Sequence, residues 1–189
     1  MKLLFVDCCI SQRGKESRTL ALAKAYIDAF RAAHPDWEVE RADPMDLPPL
    51  TAEFLDDRDT RKGEFSAPMF AAARQFQSAD SIVVAAPYWD LSYPAQLKTY
   101  LEHISANGLC YHYTEQGCQG DCKAEKLVYL TSGGDFEGED SVGVLHWKQL
   151  CKMFGIETFT YVFAGGMDID PVKTPELLAQ ACEKARSLV

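Results

Sequence analysis

The residues of this chain best suited to holding a flat ligand are two adjacent aromatic rings, Tyr88 and Trp89, with Pro87 before them and Asp90 after them. Rings in a loop need a reason, because connecting segments normally face water. Aromatic stacking and backbone amides together hold ring systems that are polar on one edge and apolar elsewhere. The stretch therefore predicts a binding loop for a planar ligand. The alternative is that both rings belong to the hydrophobic core.

A second loop is rich in hydrogen-bond donors. They stand just before or at the start of a predicted helix, and they are Ser11, Arg13, Ser17, Arg18 and Thr19. The free N–H groups and the dipole of a helix N-terminus attract an anion, and hydroxyl and guanidinium groups add donors to a phosphate. Gly14 stands alone, so the loop is neither a G-x-G-x-x-G fingerprint nor a P-loop. An ordinary helix capped by Ser17 is the alternative, but the donors exceed what a cap requires.

A third loop begins Ser132-Gly133-Gly134. Paired glycines let the backbone approach a ligand closely, because they carry no side chain. A bare turn is the other interpretation of two glycines.

Hydrophobic periodicity predicts the elements that position these loops. It gives five strands, at 2–7, 37–41, 81–86, 126–131 and 157–164. About five helices alternate with them, at 17–33, 67–79, 94–106, 142–154 and 174–188. Alternation of this kind predicts an α/β fold, a flavodoxin-like three-layer sandwich with a five-stranded parallel sheet of order 2-1-3-4-5, formed by residues 1–189 as a single domain.

The predicted topology brings the three loops together. In a parallel sheet of this order, ligands bind at the carboxyl edge, where the strand order reverses between the first and third strands. The loops at 8–17, 87–93 and 132–138 follow the first, third and fourth strands, so we expect them to be neighbours.

Two segments do not fit the alternation. Residues 51–66 are heavily charged and predict a short helix followed by a flap, either a solvated insertion or a lid or subunit contact. Residues 109–125 are predicted to be an irregular excursion. Cys118 and Cys122 lie there with Cys110 and His112 nearby, but a C-x3-C spacing without a second pair favours exposed thiols in a plain loop over a zinc site.

Composition excludes several classes of partner. The net charge of −9 argues against nucleic acid and against adhesion to anionic lipid. Only four consecutive apolar residues, at 3–6, precede Asp7, too few for a signal peptide, and no run approaches the length of a membrane span. The seven cysteines are an odd number and are expected to be reduced thiols, which predicts a cytoplasmic protein. The four histidines are too scattered to suggest a catalytic triad.

At these loops the chain resembles the FMN-dependent NAD(P)H oxidoreductases of flavodoxin-like fold, a family that includes NADH azoreductases and NAD(P)H quinone reductases. Residues 87–98 are similar to its motif P-[MY]-[YW]-N-[FL]-x-x-P-x-x-L-K. Residues 132–134 resemble its S-x-G-G or T-x-G-G loop, and residues 111–117 resemble its F-x-Y-T-x-x-G run. The resemblance covers nearly the whole chain.

The resemblance implies that FMN is the cofactor, with NADH or NADPH as reductant. Hydride would pass to the flavin N5 and then to a small planar acceptor in the same pocket, with ping-pong kinetics, so no side chain is expected to be catalytic. The acceptors implied are quinones, azo compounds and nitroaromatic compounds, and the expected assembly is a homodimer. Residues expected to hold FMN are Ser11, Arg13, Ser17, Arg18, Thr19, Pro87, Tyr88, Trp89, Asp90, Leu91, Ser132, Gly133 and Gly134, and Tyr113 and Phe136 are expected in the substrate pocket.

One departure from the motif concerns Asp90, which replaces the more usual asparagine. An amide donates to a flavin, whereas an ionised carboxylate only accepts, and a negative charge there disfavours a reduced anionic flavin. Two other functions stay open from sequence. One is a flavodoxin-type electron carrier, which fits the acidity but not the basic first loop, and the other is a flavin-free regulatory subunit.

Overall fold

A computed structural model of the protein describes residues 1–9, 17–136, 138 and 140–189. Its strands are β1 Lys2–Asp7, β2 Glu38–Ala42, β3 Ser81–Ala85, β4 Tyr111–Thr114, β5 Gly117–Gly120, β6 Lys126–Ser132 and β7 Thr158–Ala164. Its helices are α1 Arg18–Ala33, α2 Ala52–Thr60, α3 Ala71–Ser78, α4 Ala95–Ile104, α5 Val142–Phe154 and α6 Thr174–Arg186. None of the helices in these ranges is long and apolar enough to cross a membrane.

The main sheet has five parallel strands in the order β2-β1-β3-β6-β7. Since β6 and β7 are its fourth and fifth strands along the chain, the predicted order 2-1-3-4-5 is confirmed. The order in which successive strands are added to the sheet reverses between β1 and β3, where Leu4 is paired with Ile82. That pairing places the ends of β1 and β3 side by side at the carboxyl edge.

Helices cover both faces of the sheet because side chains alternate along each strand. Leu4 and Ile82 belong to a core shared with α3, α4 and α5. Leu3 and Val83, one residue away, belong to a second core shared with α1 and α6. All four are fully buried, and each such side chain contributes about 1.5–3 kcal/mol of hydrophobic stabilisation. The central strands β1 and β3 therefore bury apolar side chains on both faces of the sheet.

Helix ends follow the local sequence signals. The hydroxyl of Ser17 accepts a hydrogen bond from the backbone N–H of Leu20, so the predicted cap of α1 is confirmed. Gly155 ends α5 with a φ of 78°, a left-handed conformation that glycine adopts without strain. Pro94, expected as a first helical residue, instead immediately precedes α4. The predicted short helix within 51–66 is confirmed as α2, whereas the role of that segment stays a prediction.

The prediction of an irregular excursion at 109–125 is wrong, because β4 and β5 form an antiparallel hairpin in which Tyr111 is paired with Gly120. The strands are only four residues long and mostly exposed, so they are too short for a periodic pattern to identify them from sequence. Tertiary contact stabilises the hairpin instead. Gly120 packs against the backbone of Phe154 and Gly155, and the N–H of Cys122 donates to the carbonyl of Phe154 at 3.2 Å.

Candidate functional site

The described residues of the three loops singled out by sequence meet at the carboxyl edge of the sheet around a cavity of about 370 Å³. This volume lies within the range of small-molecule sites. The lining residues are Cys9, Ser17, Arg18, Thr19, Pro87, Tyr88, Trp89, Ser132, Gly133, Gly134 and Asp168. The prediction that these loops are neighbours is therefore confirmed for their described residues.

Backbone hydrogen bonds beyond the strands hold the loops in register. The N–H of Cys8 donates to the carbonyl of Ala85 at 2.8 Å, and that of Tyr88 donates to Ser132 at 2.9 Å. The N–H of Gly133 donates to the carbonyl of Ala164 at 3.0 Å. The cavity walls thus continue the sheet's own hydrogen-bonding pattern, and the sheet fixes their positions.

The N-terminus of α1 forms the polar end of the cavity. The hydroxyls of Thr19 and Ser132 share a buried hydrogen bond of 2.7 Å, which joins α1 to the glycine loop. Arg18 Nη1 donates to Asp168 Oδ1 at 2.7 Å. Of the donors singled out by sequence, Ser17, Arg18 and Thr19 therefore line the cavity, whereas Ser11 and Arg13 lie outside the described residues.

The aromatic wall consists of Tyr88 and Trp89. The ring of Tyr88 packs edge-on against that of Phe163 on β7, with centroids 5.2 Å apart and planes at 69°. Trp89 is exposed, so it is not a core residue. Gly133 completes this wall, because a Cβ there would lie 3.0 Å from the Phe163 ring and 3.3 Å from that of Tyr88. A flat ligand therefore meets a rigid aromatic surface.

Beyond these rings the chain reverses in a tight turn. Trp89 and Ser92 exchange backbone hydrogen bonds of 3.2 and 2.8 Å, while Asp90 and Leu91 both have positive φ, 51° and 61°. This is the pattern of a two-residue hairpin turn with both central residues left-handed. Aspartate tolerates that conformation, whereas leucine is strained by it. Asp90 and Leu91 are exposed at the rim and do not line the cavity.

Neither residue expected in the substrate pocket lines this cavity. Phe136 is 67% exposed at the outer end of the glycine loop. Tyr113 is 68% exposed on β4, and its hairpin is attached to the opposite edge of the sheet through Phe154 and Gly155. The seven-residue β6 separates the two edges by about 20 Å. A pocket role for Tyr113 therefore requires a second subunit.

Three residues of the site escaped sequence analysis: Cys9, Phe163 and Asp168. Asp168 lies just after two glycines that follow the last strand. Because that loop is at the carboxyl edge, where ligands bind, its position could have identified Asp168 from sequence. Phe163 lies in an alternating aromatic strand, where sequence does not show which ring supports Tyr88. Burial raises the pKa of the Cys9 thiol, with a further increase from the Asp7 carboxylate, so Cys9 stays protonated and is not a nucleophile.

Behind the turn, the Tyr93 hydroxyl contacts Nδ1 of His146 on α5, and the two rings stack 5.9 Å apart. Burial raises the pKa of Tyr93 to about 12, so its hydroxyl keeps its proton. Burial, and secondarily the charge of Lys98, lowers the pKa of His146. Burial therefore favours the neutral form of His146 in the folded protein.

A pH dependence of stability follows from this pair. Because the pKa of His146 is lower in the folded than in the unfolded chain, protonation below the unfolded value of about 6.5 favours unfolding. We expect the free energy of unfolding, measured by urea denaturation, to fall more between about pH 7.5 and about pH 5 in the parent protein than in His146→Gln. Equal losses in the two proteins would show that another group is responsible.

In the part of the chain that the structure describes, no three His, Cys, Asp or Glu side chains are grouped so that they could hold a metal ion. The cavity instead combines an aromatic wall, a backbone-lined glycine loop and a helix N-terminus bearing a guanidinium group. Together these suit a flat ring with polar edges that carries an anionic tail.

The profile of the Flavodoxin_2 family, described as having the flavodoxin-like fold, matches the chain over residues 1–189. The chain belongs to this family. The Flavodoxin_2 assignment agrees with the observed sheet order and with a cavity at the reversal point between β1 and β3.

Named relatives of this Flavodoxin_2 protein are similar along nearly its whole length. An FMN-dependent NADH:quinone oxidoreductase of Clostridium beijerinckii is 31% identical over 191 residues, covering 98% of this chain and 96% of the relative. FMN-dependent NADH:quinone oxidoreductase 5 of Pseudomonas fluorescens is 31% identical, covering 88% of this chain and 87% of the relative.

Solved structures share the fold. An azoreductase from Bacillus anthracis superimposes with a TM-score of 0.87 at 24% identity, covering 100% of this chain and 98% of that one. A second azoreductase from the same species, solved in complex with FMN, gives a TM-score of 0.81 at 19% identity, with coverage of 99% and 98%.

Proposed function

We propose that this protein is an FMN-dependent NAD(P)H oxidoreductase that reduces small planar acceptors. One observation carries the proposal: a single cavity at the reversal point of the sheet joins an aromatic wall, a glycine loop and the N-terminus of α1. The similarity to FMN-dependent NADH:quinone oxidoreductases supports it. The whole chain, residues 1–189, is proposed to form one FMN-binding domain.

The donors and surfaces of the cavity fit FMN. Ser17, Arg18 and Thr19 would hold the phosphate at the N-terminus of α1, where backbone N–H groups and the helix dipole favour an anion. Tyr88 and Trp89 would lie against the flavin ring, with Pro87 beside them. Ser132, Gly133 and Gly134 would leave room for its edge, since a side chain on Gly133 would occupy space next to the Tyr88 ring.

The remaining proposed contacts come from residues that do not line the cavity or lie outside the described ranges. Ser11 and Arg13 are proposed to add phosphate contacts. Asp90 and Leu91 are proposed to contact the ring from the rim, which requires the turn at 89–92 to lie over the bound flavin.

When bound, FMN supplies the redox chemistry by accepting hydride from the nicotinamide and passing it to the acceptor. The chain's own contribution is position, electrostatics and access. The aromatic wall would orient the ring, and the N-terminus of α1 would hold the phosphate. The exposed rim would give reductant and acceptor access to the cavity in turn. No side chain of the cavity is required to transfer a proton, and the raised pKa of Cys9 keeps that thiol out of the reaction.

The acceptors proposed are flat aromatic molecules: quinones, azo compounds and nitroaromatic compounds. A shared pocket for reductant and acceptor would give ping-pong kinetics. NADH is the favoured reductant, because the similar oxidoreductases carry it in their names.

A homodimer with the flavin at the subunit interface is part of the proposal. Exposed rim side chains, among them Trp89 and Leu91, support an interface beside the cavity. In such a dimer Tyr113 and Phe136 would complete the substrate pocket from the second subunit. Nucleic acid and membrane are not proposed as partners, given the net charge of −9. A cytoplasmic location is proposed, since all seven cysteines are free thiols.

The test is spectroscopic and kinetic. We expect protein incubated with FMN and freed of excess cofactor to show flavin absorption bands that NADH bleaches and that a small quinone restores. Steady-state NADH oxidation should then depend on the quinone. Flavin bands that NADH does not bleach would instead support an electron carrier, and a protein that binds no FMN would contradict both flavin functions.

A further inference from the structure

The cavity contains an ion pair that a phosphate site does not need. Among its described lining residues, Arg18 is the one cation and Asp168 the one anion, and Arg18 Nη1 donates to Asp168 Oδ1 at 2.7 Å. The guanidinium group suited to the phosphate is thus already engaged by a carboxylate of the β7–α6 loop. The β7–α6 loop is not one of the three loops predicted from sequence to hold the ligand.

Asp168 is held in that position by the glycine loop. Its N–H donates to the carbonyl of Gly134 at 3.1 Å, and its Oδ2 would lie 2.7 Å from a Cβ on Gly134. The backbone of the two loops therefore fixes where the carboxylate stands. Its side chain is 69% exposed and that of Arg18 33% exposed. An ion pair this exposed is weak and exchanges readily.

An anionic tail bound at the N-terminus of α1 would meet both groups. A phosphate dianion attracts Arg18 more strongly than one carboxylate does, but it is repelled by that carboxylate. An unphosphorylated flavin has no group that needs Arg18, so it binds without disturbing the pair.

We propose that Asp168 sets how strongly the cavity prefers FMN over riboflavin, because its carboxylate competes with the flavin phosphate for Arg18. The inference rests on the function proposed above and adds a specificity-determining residue to it. Asp168 restrains phosphate binding, and the pair keeps Arg18 neutralised until a phosphate replaces the carboxylate.

Removing the negative charge of Asp168 is expected to strengthen FMN binding. In Asp168→Asn, FMN should bind about two- to fivefold more tightly, the range expected when one exposed ion-pair partner is removed. Riboflavin affinity should not change. Asp168→Glu keeps the charge and should restore parental FMN affinity. Added salt should reduce the increase in FMN affinity caused by Asp168→Asn, because salt screens exposed charges.

The measurement is flavin fluorescence quenching on cofactor-free protein, giving a Kd for FMN and a Kd for riboflavin at low and high salt. Asp170→Asn is the matched control: it removes the same charge two residues away, where Asp170 pairs with Lys173 at 3.7 Å outside the cavity. It should leave both Kd values unchanged. When Arg18 is also replaced by alanine, Asp168→Asn should increase FMN affinity by less than it does in the parental protein, because no guanidinium group is left to release.

Several results would overturn the inference. They are an unchanged or weaker FMN Kd in Asp168→Asn, an equal gain for riboflavin, or an equal gain in Asp170→Asn. Failure of the parental protein to bind FMN would instead contradict the proposed function, so the two failures are distinguishable.

Discussion

Replacing Gly133 by valine will weaken FMN binding by about 5- to 150-fold, since forcing a side chain into filled space costs about 1–3 kcal/mol. The new Cβ would lie 3.0 Å from the Phe163 ring and 3.3 Å from the Tyr88 ring, and the valine methyls extend further. Phe163 is anchored in β7, so the accessible response is movement of Tyr88 into the cavity. The flavin ring would lose its contact with the Tyr88 ring and part of the cavity volume that it needs.

Fluorescence quenching by the cofactor-free variant gives the FMN Kd, and circular dichroism reports whether the sheet remains folded. Gly138→Val is the matched control, because nothing lies within 4 Å of a Cβ at Gly138. Parental FMN affinity in a folded Gly133→Val variant would show that the flavin does not lie against this wall.

The largest loss of stability is expected from Gly120→Ala on the β4–β5 hairpin. A Cβ there would lie 2.0 Å from the backbone N of Gly155 and from the backbone carbonyl carbon of Phe154. Backbone atoms at the end of α5 cannot move aside as a flexible side chain does. The hairpin must detach, so we expect a cost of about 3 kcal/mol or more, at or above the usual range for overpacking.

Urea denaturation monitored by circular dichroism gives the free energy of unfolding of this variant. Gln119→Ala is its control, because it changes an exposed residue of the same strand and should alter stability by less than about 0.5 kcal/mol. If Gly120→Ala unfolds at the parental urea concentration, the hairpin does not pack on α5 in solution.

The tight turn at 89–92 accounts for one departure from the flavoenzyme motif. Asp90 has a φ of 51°, a conformation that both asparagine and aspartate tolerate, so the backbone accepts the substitution. The expected effects of its carboxylate on a bound flavin are therefore the loss of an amide donor and the added negative charge. Sequence analysis identified the residue but not the turn, because neither Asp90-Leu91 nor its neighbours contain the glycine that usually marks one.

The sequence by itself determined the sheet, its order and the three loops at the ligand edge. Strands such as β3 are apolar on both faces, helices such as α1 carry a cap and a periodic stripe, and parallel strands must end at the same edge. These are local signals joined by a general topological rule. They sufficed to place Arg18, Tyr88 and Gly133 around one cavity.

Only the tertiary structure decided the contacts between residues far apart in the chain. The pairing of Arg18 with Asp168, the support of Tyr88 by Phe163 and the docking of Gly120 on α5 each join residues at least 30 positions apart. Periodicity reports which side of an element is buried and not which partner it meets. Partner choice depends on the packing of whole elements, so the ion pair between Arg18 and Asp168 could not be found from the sequence.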